Sequence, residues 1–260
     1  MSTYVYGIAR TPAPPFHGDL TGVGDPPRPV RVVEREGLVA LVSDAPDDLK
    51  PKRRELLAHQ QVLAQASAER PVLPMRFGSL SEDDDTVGDV LLERAEHFRE
   101  RLDALEGKVE YNVKASHDEE AVLHVVMAEQ PALRAESEAN RAAGGGTYEQ
   151  KLQLGEQVAR AVQARESTDA ALVRRALEPL AAEVSEGPES GGWLTNLSFL
   201  VDREGAGELL AALEELETSA PQLDLTVNGP LPPYSFVEKT DAPAGATGAA
   251  GAAGTAPAAG

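Results

Sequence analysis

The sequence has no cysteine among its 260 residues. Disulfides, cysteine-liganded zinc, iron–sulfur clusters and thiol catalysis are therefore excluded. Aromatic residues make up only 4% of the chain. Apolar runs are short pieces such as Leu38–Val42, far below the roughly 20 residues of a membrane-spanning helix. Cations are scarce: 24 Lys and Arg face 43 Asp and Glu, a formal charge of −19. Nucleic acid and anionic lipid both attract Lys/Arg clusters, and the only grouping is Lys50, Lys52, Arg53 and Arg54. Neither nucleic acid nor a lipid membrane is expected as a partner. The opening Met1-Ser2-Thr3-Tyr4-Val5-Tyr6 lacks the basic and apolar regions of a signal peptide. A cytoplasmic location is the expectation, which makes the Asn196-Leu197-Ser198 sequon a coincidence.

Apolar residues at 42% are enough to build cores, and the length suits one large domain or two modest ones. Tyr4–Ala9 reads as a strand. Residues 11–29 hold six prolines and three glycines and read as a loop. Val30–Glu34 and Leu38–Ser43 read as a hairpin. Over 51–69, Leu56, Leu57, Gln60, Leu63, Ala64 and Ser67 recur at helical spacing. Val72–Gly78 reads as a strand whose internal Pro74 implies an edge or a bulge. Val87, Val90, Leu91, Ala95, Phe98, Leu102 and Leu105 form one helical stripe of about 20 residues, closed by Gly107.

A domain boundary is placed at Gly107. Beyond it, Lys108–Ala115 and Ala121–Met127 read as strands and 134–186 as helix interrupted at Gly144-Gly145-Gly146. Tyr148, Leu152, Gly155, Ala159 and Val162 lie on one helical face. Trp193–Asp202 and Gln222–Val227 read as strands flanking a helix over Gly207–Thr218, and 228–237 as a proline-stiffened extended segment. Residues 108–238 thus read β-β-α-β-α-β, close to a ferredoxin-like unit. The expected fold class is α+β, with an N-terminal sheet-and-helix domain over 1–107 and a modified ferredoxin-like domain over 108–238. An Ala/Gly-rich tail over 239–260 is expected to be disordered. The acidity is uneven, −6 over 1–107 and −13 over 108–238.

The search for chemistry is sparse. Asp83-Asp84-Asp85-Thr86-Val87-Gly88 resembles the start of a calcium loop, but Arg94 stands where the bidentate Glu belongs; acidic residues at a helix N-terminus explain it better. Gly205-Ala206-Gly207 lacks the third glycine of a dinucleotide site. His17, His59, His97, His117 and His124 show no metal-binding spacing. No cofactor, metal or enzymatic activity is expected. Arg76, inside an apolar strand, is either a solvent-facing arginine or part of a docking or fold-specifying ion pair, with Glu110 as the partner that would join the two domains. Tyr234 and Phe236 point to the same side if 230–237 is extended, sealing a core or presenting a recognition strand.

Several segments together resemble the gas vesicle accessory protein family F/L. They are Tyr4-Val5-Tyr6-Gly7-Ile8, Leu38–Ser43, His59-Gln60-Gln61-Val62-Leu63, Val72-Leu73-Pro74-Met75-Arg76-Phe77-Gly78, Val109–Lys114, Tyr148–Lys151 and Gly229-Pro230-Leu231-Pro232-Pro233-Tyr234-Ser235-Phe236-Val237. The chain departs from the pattern at Tyr111 and Leu231, where tryptophan is commoner. The resemblance implies two domains, the second ferredoxin-like, and a non-enzymatic accessory role in the gas vesicle. Its implied partners are the small hydrophobic shell protein and other accessory proteins. His59, Arg76, Phe77, Glu110, Tyr234 and Phe236 become candidates for partner binding or the domain interface. The alternative is a ferredoxin-like regulatory module binding a small molecule, or an enzyme, since fold alone does not decide function.

Overall fold

The computed structural model describes residues 2–14, 20–68, 70–188 and 191–238. His17 and the 239–260 tail lie outside the described residues, as do parts of the proline-rich loop. The architecture is mixed α+β, with two antiparallel sheets and seven helices among the described residues.

The first sheet is built on β1 (Thr3–Arg10), with β3 (Leu38–Asp44) on one side and β4 (Val72–Pro74) on the other. Strand β2 (Arg31–Arg35) pairs with β3, and the two-residue β5 (Leu80–Ser81) pairs with the start of β1. Helix α1 (Arg53–Ala66) covers one face, while α2 (Asp84–Glu93) and α3 (Ala95–Ala104) cover the other. A strand covered on both faces reads as a continuous apolar run. Accordingly Val39 and Leu41 pack under α1, and Leu38, Ala40 and Val42 under α2 and α3. A register shift between Val5 and Gly7 changes the parity of β1. Tyr4 and Tyr6 therefore face α1, whereas Ile8 faces α3.

The second sheet contains β6 (Lys108–His117), β7 (Glu183–Glu186), β8 (Thr195–Asp202) and β9 (Leu223–Leu231), in the order β7-β8-β6-β9. Between β6 and β7 run α4 (Glu119–Glu129), α5 (Pro131–Ala142) and α6 (Tyr148–Leu177); α7 (Ala206–Ser219) joins β8 to β9. Val109, Tyr111, Val113, Phe199 and Val201 pack against Val173 and Leu177 of α6 and Leu209 and Leu213 of α7. On the opposite face Leu200 joins the core of the first sheet together with Phe236.

Several expectations are corrected. Ala121–Met127 is helix, not strand: the Asp118 side chain caps α4 by accepting from the Ala121 N–H at 2.7 Å, and a short apolar run does not by itself distinguish the two. His117 and His124 consequently lie on different elements. The second half runs β-α-α-α-β-β-α-β, with β7 inside a region read as helix. The stripe from Val87 to Leu105 is split at Arg94, whose φ of −106° and ψ of 19° depart from helix, and Val90 is exposed. The strand starting at Val72 stops at Pro74, and Tyr234–Phe236 form a 3-10 turn instead of an extended segment.

Helix α1 is rotated from its expected phase. Its buried residues are Glu55, His59, Val62, Leu63 and Ala66, while Leu56 and Leu57 are exposed. Both buried polar groups are satisfied, Glu55 by the Gly24 N–H at 2.8 Å and by Arg54. Burial pushes the Glu55 carboxyl up, but these donors outweigh it and hold it below the usual range.

Candidate functional site

Five of the six candidate residues converge where the C-terminal turn meets the first sheet. His59 stands at the centre of an aromatic cluster. Its ring stacks on Tyr6 with centroids 5.6 Å apart, and Tyr4, Phe77 and Tyr234 lie at 5.7, 5.9 and 6.5 Å. The Nε2–H donates to the Met75 carbonyl at 3.1 Å, which leaves Nδ1 to accept from the Tyr4 hydroxyl at 2.8 Å; the tautomer follows from the network. The Tyr4 oxygen accepts in turn from the Gly78 N–H at 3.2 Å. Burial holds the His59 imidazole below its ordinary pKa and pushes the Tyr4 phenol up.

The turn that delivers Tyr234 is held from the second sheet. Glu110, buried on β6, accepts from the Ser235 N–H at 2.9 Å and from its hydroxyl at 2.7 Å. Burial, then the Glu110 charge, push the Tyr234 phenol up to about 12. Phe236, on the other side of the turn, is fully buried with Leu91, Phe98 and Leu102. Tyr234 and Phe236 thus enter different cores, because the 3-10 turn breaks the two-residue alternation.

Arg76 stands apart. It is exposed, and among the described residues no hydrogen bond or ion pair involves its side chain. It does not pair with Glu110. The arginine that joins the sheets is Arg101, 4% exposed on α3. It donates to the Phe236 carbonyl through Nε and Nη2 and to the Glu183 carboxylate on β7 at 3.1–3.2 Å. The signal for it was available: Arg101 lies beside Leu102 and three residues after Phe98 on the buried stripe.

The docked turn also forms one wall of a cleft of about 800 Å³. Met75, Val87, Val90 and Leu80 contribute apolar surface, with Leu80 and Val90 exposed at 56% and 41%. Arg76 lies at its margin, as do Arg94 and Glu238, which pair at 2.8 Å. Both nitrogens of His59 are engaged, and among the described residues no group of three or more His, Cys, Asp or Glu could hold a metal. The cleft is lined largely by apolar side chains, and Arg76 on its rim has no ion-pair partner among the described residues.

The model of the gas vesicle synthesis protein GvpL/GvpF family matches residues 2–238. The chain belongs to this family. It is 63% identical to gas vesicle protein F of Streptomyces sp. (strain CB03234), over 92% of this chain and all of that protein. Gas vesicle protein L of the same organism is 28% identical, over 90% of this chain and 91% of its own length. Among solved structures, GvpF from Anabaena sp. PCC7120 superposes with a TM-score of 0.70 at 25% identity, covering 92% of this chain and 99% of that one. Family membership gives the chain an accessory role in gas vesicles.

Proposed function

We propose that this chain is an assembly factor or minor structural component of the gas vesicle that binds the small hydrophobic shell protein in the cytoplasm, alongside other accessory proteins. The observation that carries the proposal is the apolar cleft between β5, α2 and the C-terminal turn, with Leu80 and Val90 exposed in it. A shell subunit that polymerises through apolar surfaces needs those surfaces covered beforehand, and such a cleft offers cover. A charge of −19 opposes self-association of the carrier while it is loaded.

We further infer two domains meeting near Gly107, the second a modified ferredoxin-like unit. Its support is the β7-β8-β6-β9 order, with α4–α6 and α7 as the two crossovers of a split βαβ pair. His59, Phe77, Glu110, Tyr234 and Phe236 are assigned to holding the two units together, and Arg76 to partner contact.

Co-expression of the full chain with the shell protein tests the function. The expected result is that the shell protein stays in the supernatant and co-purifies. Absence of binding at micromolar concentrations overturns the proposal.

A further inference from the structure

Among the described residues five strands lie at sheet edges, and four of them are guarded. β2 carries Arg31, Glu34 and Arg35 in five residues. β4 has three residues and ends on Pro74, and β5 has two. β7 has four residues, two of them Glu183 and Glu186. Charge, shortness and proline keep an edge from pairing with another chain. β9 carries Asp224 near its start and Pro230 near its end, where its register against β6 also shifts, but the stretch between them, Leu225–Gly229, has neither charge nor proline. The strand is nine residues long and, among the described residues, pairs only with β6. From Leu225 to Val237 the chain bears no charge. Thr226, Val227, Asn228 and Gly229 are exposed, and among the described residues nothing hydrogen-bonds to the outer side of Leu225–Gly229.

The surroundings of this edge select its occupant. Helix α7 covers β9 from the core side, where Leu209, Leu213 and Leu216 pack with Leu223 and Leu225. The rest of α7 carries Glu208, Glu214, Glu215 and Glu217 and no basic residue. We propose that the outer edge of β9 docks an extended segment of another protein in which uncharged residues alternate with lysine or arginine. The main-chain ladder supplies the attachment. Alternation puts every second side chain of the added strand on the α7 side, towards a helix whose charged residues are all acidic. A second copy of this chain is the poorer occupant, because pairing β9 with β9 brings together two helices that carry only acidic charge, on chains of −19 each. The site is on the second sheet and does not depend on the cleft beside Leu80.

Amide hydrogen exchange on the full chain tests this, with a synthetic nonapeptide alternating valine and lysine as the probe. The peptide is expected to slow exchange within Leu225–Gly229 by about tenfold or more, as an added strand does. The same peptide N-methylated on alternate residues, and a valine–glutamate counterpart, should leave exchange unchanged. Val227→Lys should abolish the protection. The double variant Glu214→Lys with Glu215→Lys, at exposed positions, should weaken it without altering the sheet. No protection by the lysine peptide, or equal protection by its N-methylated form, overturns the proposal. Protection that arises without peptide and disappears on dilution overturns the occupant in favour of a second copy.

Discussion

The Arg101 guanidinium donates to the carbonyl of Phe236, through Nε at 3.0 Å and Nη2 at 2.7 Å, across 135 positions of sequence. The same side chain reaches Glu183 on the second sheet, so one residue of α3 clamps the C-terminal turn and joins the two sheets. Arg101→Met removes these bonds and leaves a buried carbonyl without a donor. A loss of about 2–3 kcal/mol in a denaturant titration is expected, and Arg101→Lys should not restore it, because an ammonium cannot reproduce the fork. An unchanged midpoint in Arg101→Met would contradict the clamp.

His59 makes stability depend on pH. Its pKa in the folded chain is held below the ordinary 6.5 by burial. The unfolded chain therefore takes up a proton that the folded chain refuses. Stability is complete above about pH 7 and falls as pH drops through 6.5, by at most about 1.4 kcal/mol per unit. Urea midpoints between pH 7.5 and 5.5 measure this slope. His59→Gln should flatten it over that window.

Glu110 and Tyr234 are coupled through the C-terminal turn. Glu110→Gln keeps an acceptor for Ser235 but removes the nearby negative charge that helps hold the phenol at about 12. Tyrosinate absorbance should then rise at lower pH than in the parent chain, and Tyr234→Phe should remove that component. Glu110→Ala, which strips the Ser235 N–H of its acceptor, should cost about 1–3 kcal/mol of stability. A tyrosine titration unmoved by Glu110→Gln would rule out the coupling.

Arg76 and Leu80 separate docking from folding. Both are exposed, and Arg76 has no ion-pair partner among the described residues. Arg76→Ala and Leu80→Lys are expected to shift stability by less than about 0.5 kcal/mol. Each should weaken capture of the shell protein in a pull-down. Binding that survives both substitutions would place the contact elsewhere.

Local chemistry made much of the fold legible. β-branched and aromatic runs marked β1, β3 and β6, and Gly144-Gly145-Gly146 separated α5 from α6. The acidic run at Asp83 reads correctly as a cap, accepting from the Thr86 N–H at 2.8 Å. These features depend on neighbours a few residues away, which the sequence displays directly. The family resemblance was likewise carried by short contiguous motifs, and the match over 2–238 bears it out.

Long-range partners decided the remainder. The phase of α1 differs from the expected one because Glu55 and His59 turn inward, where Gly24, Tyr4 and Met75 satisfy them. Arg76 is flanked by Met75 and Phe77 yet exposed, whereas Arg101, between Glu100 and Leu102, is buried. Arg101 is buried because the fold brings Phe236 and Glu183 to it. Tyr234 and Phe236 enter separate cores because a 3-10 turn, held by Glu110, replaces the extended segment. By itself the sequence determined the local elements and the family. Which polar groups are buried was decided only by the tertiary structure, because burying a charge or an imidazole is tolerable only where a distant partner meets it.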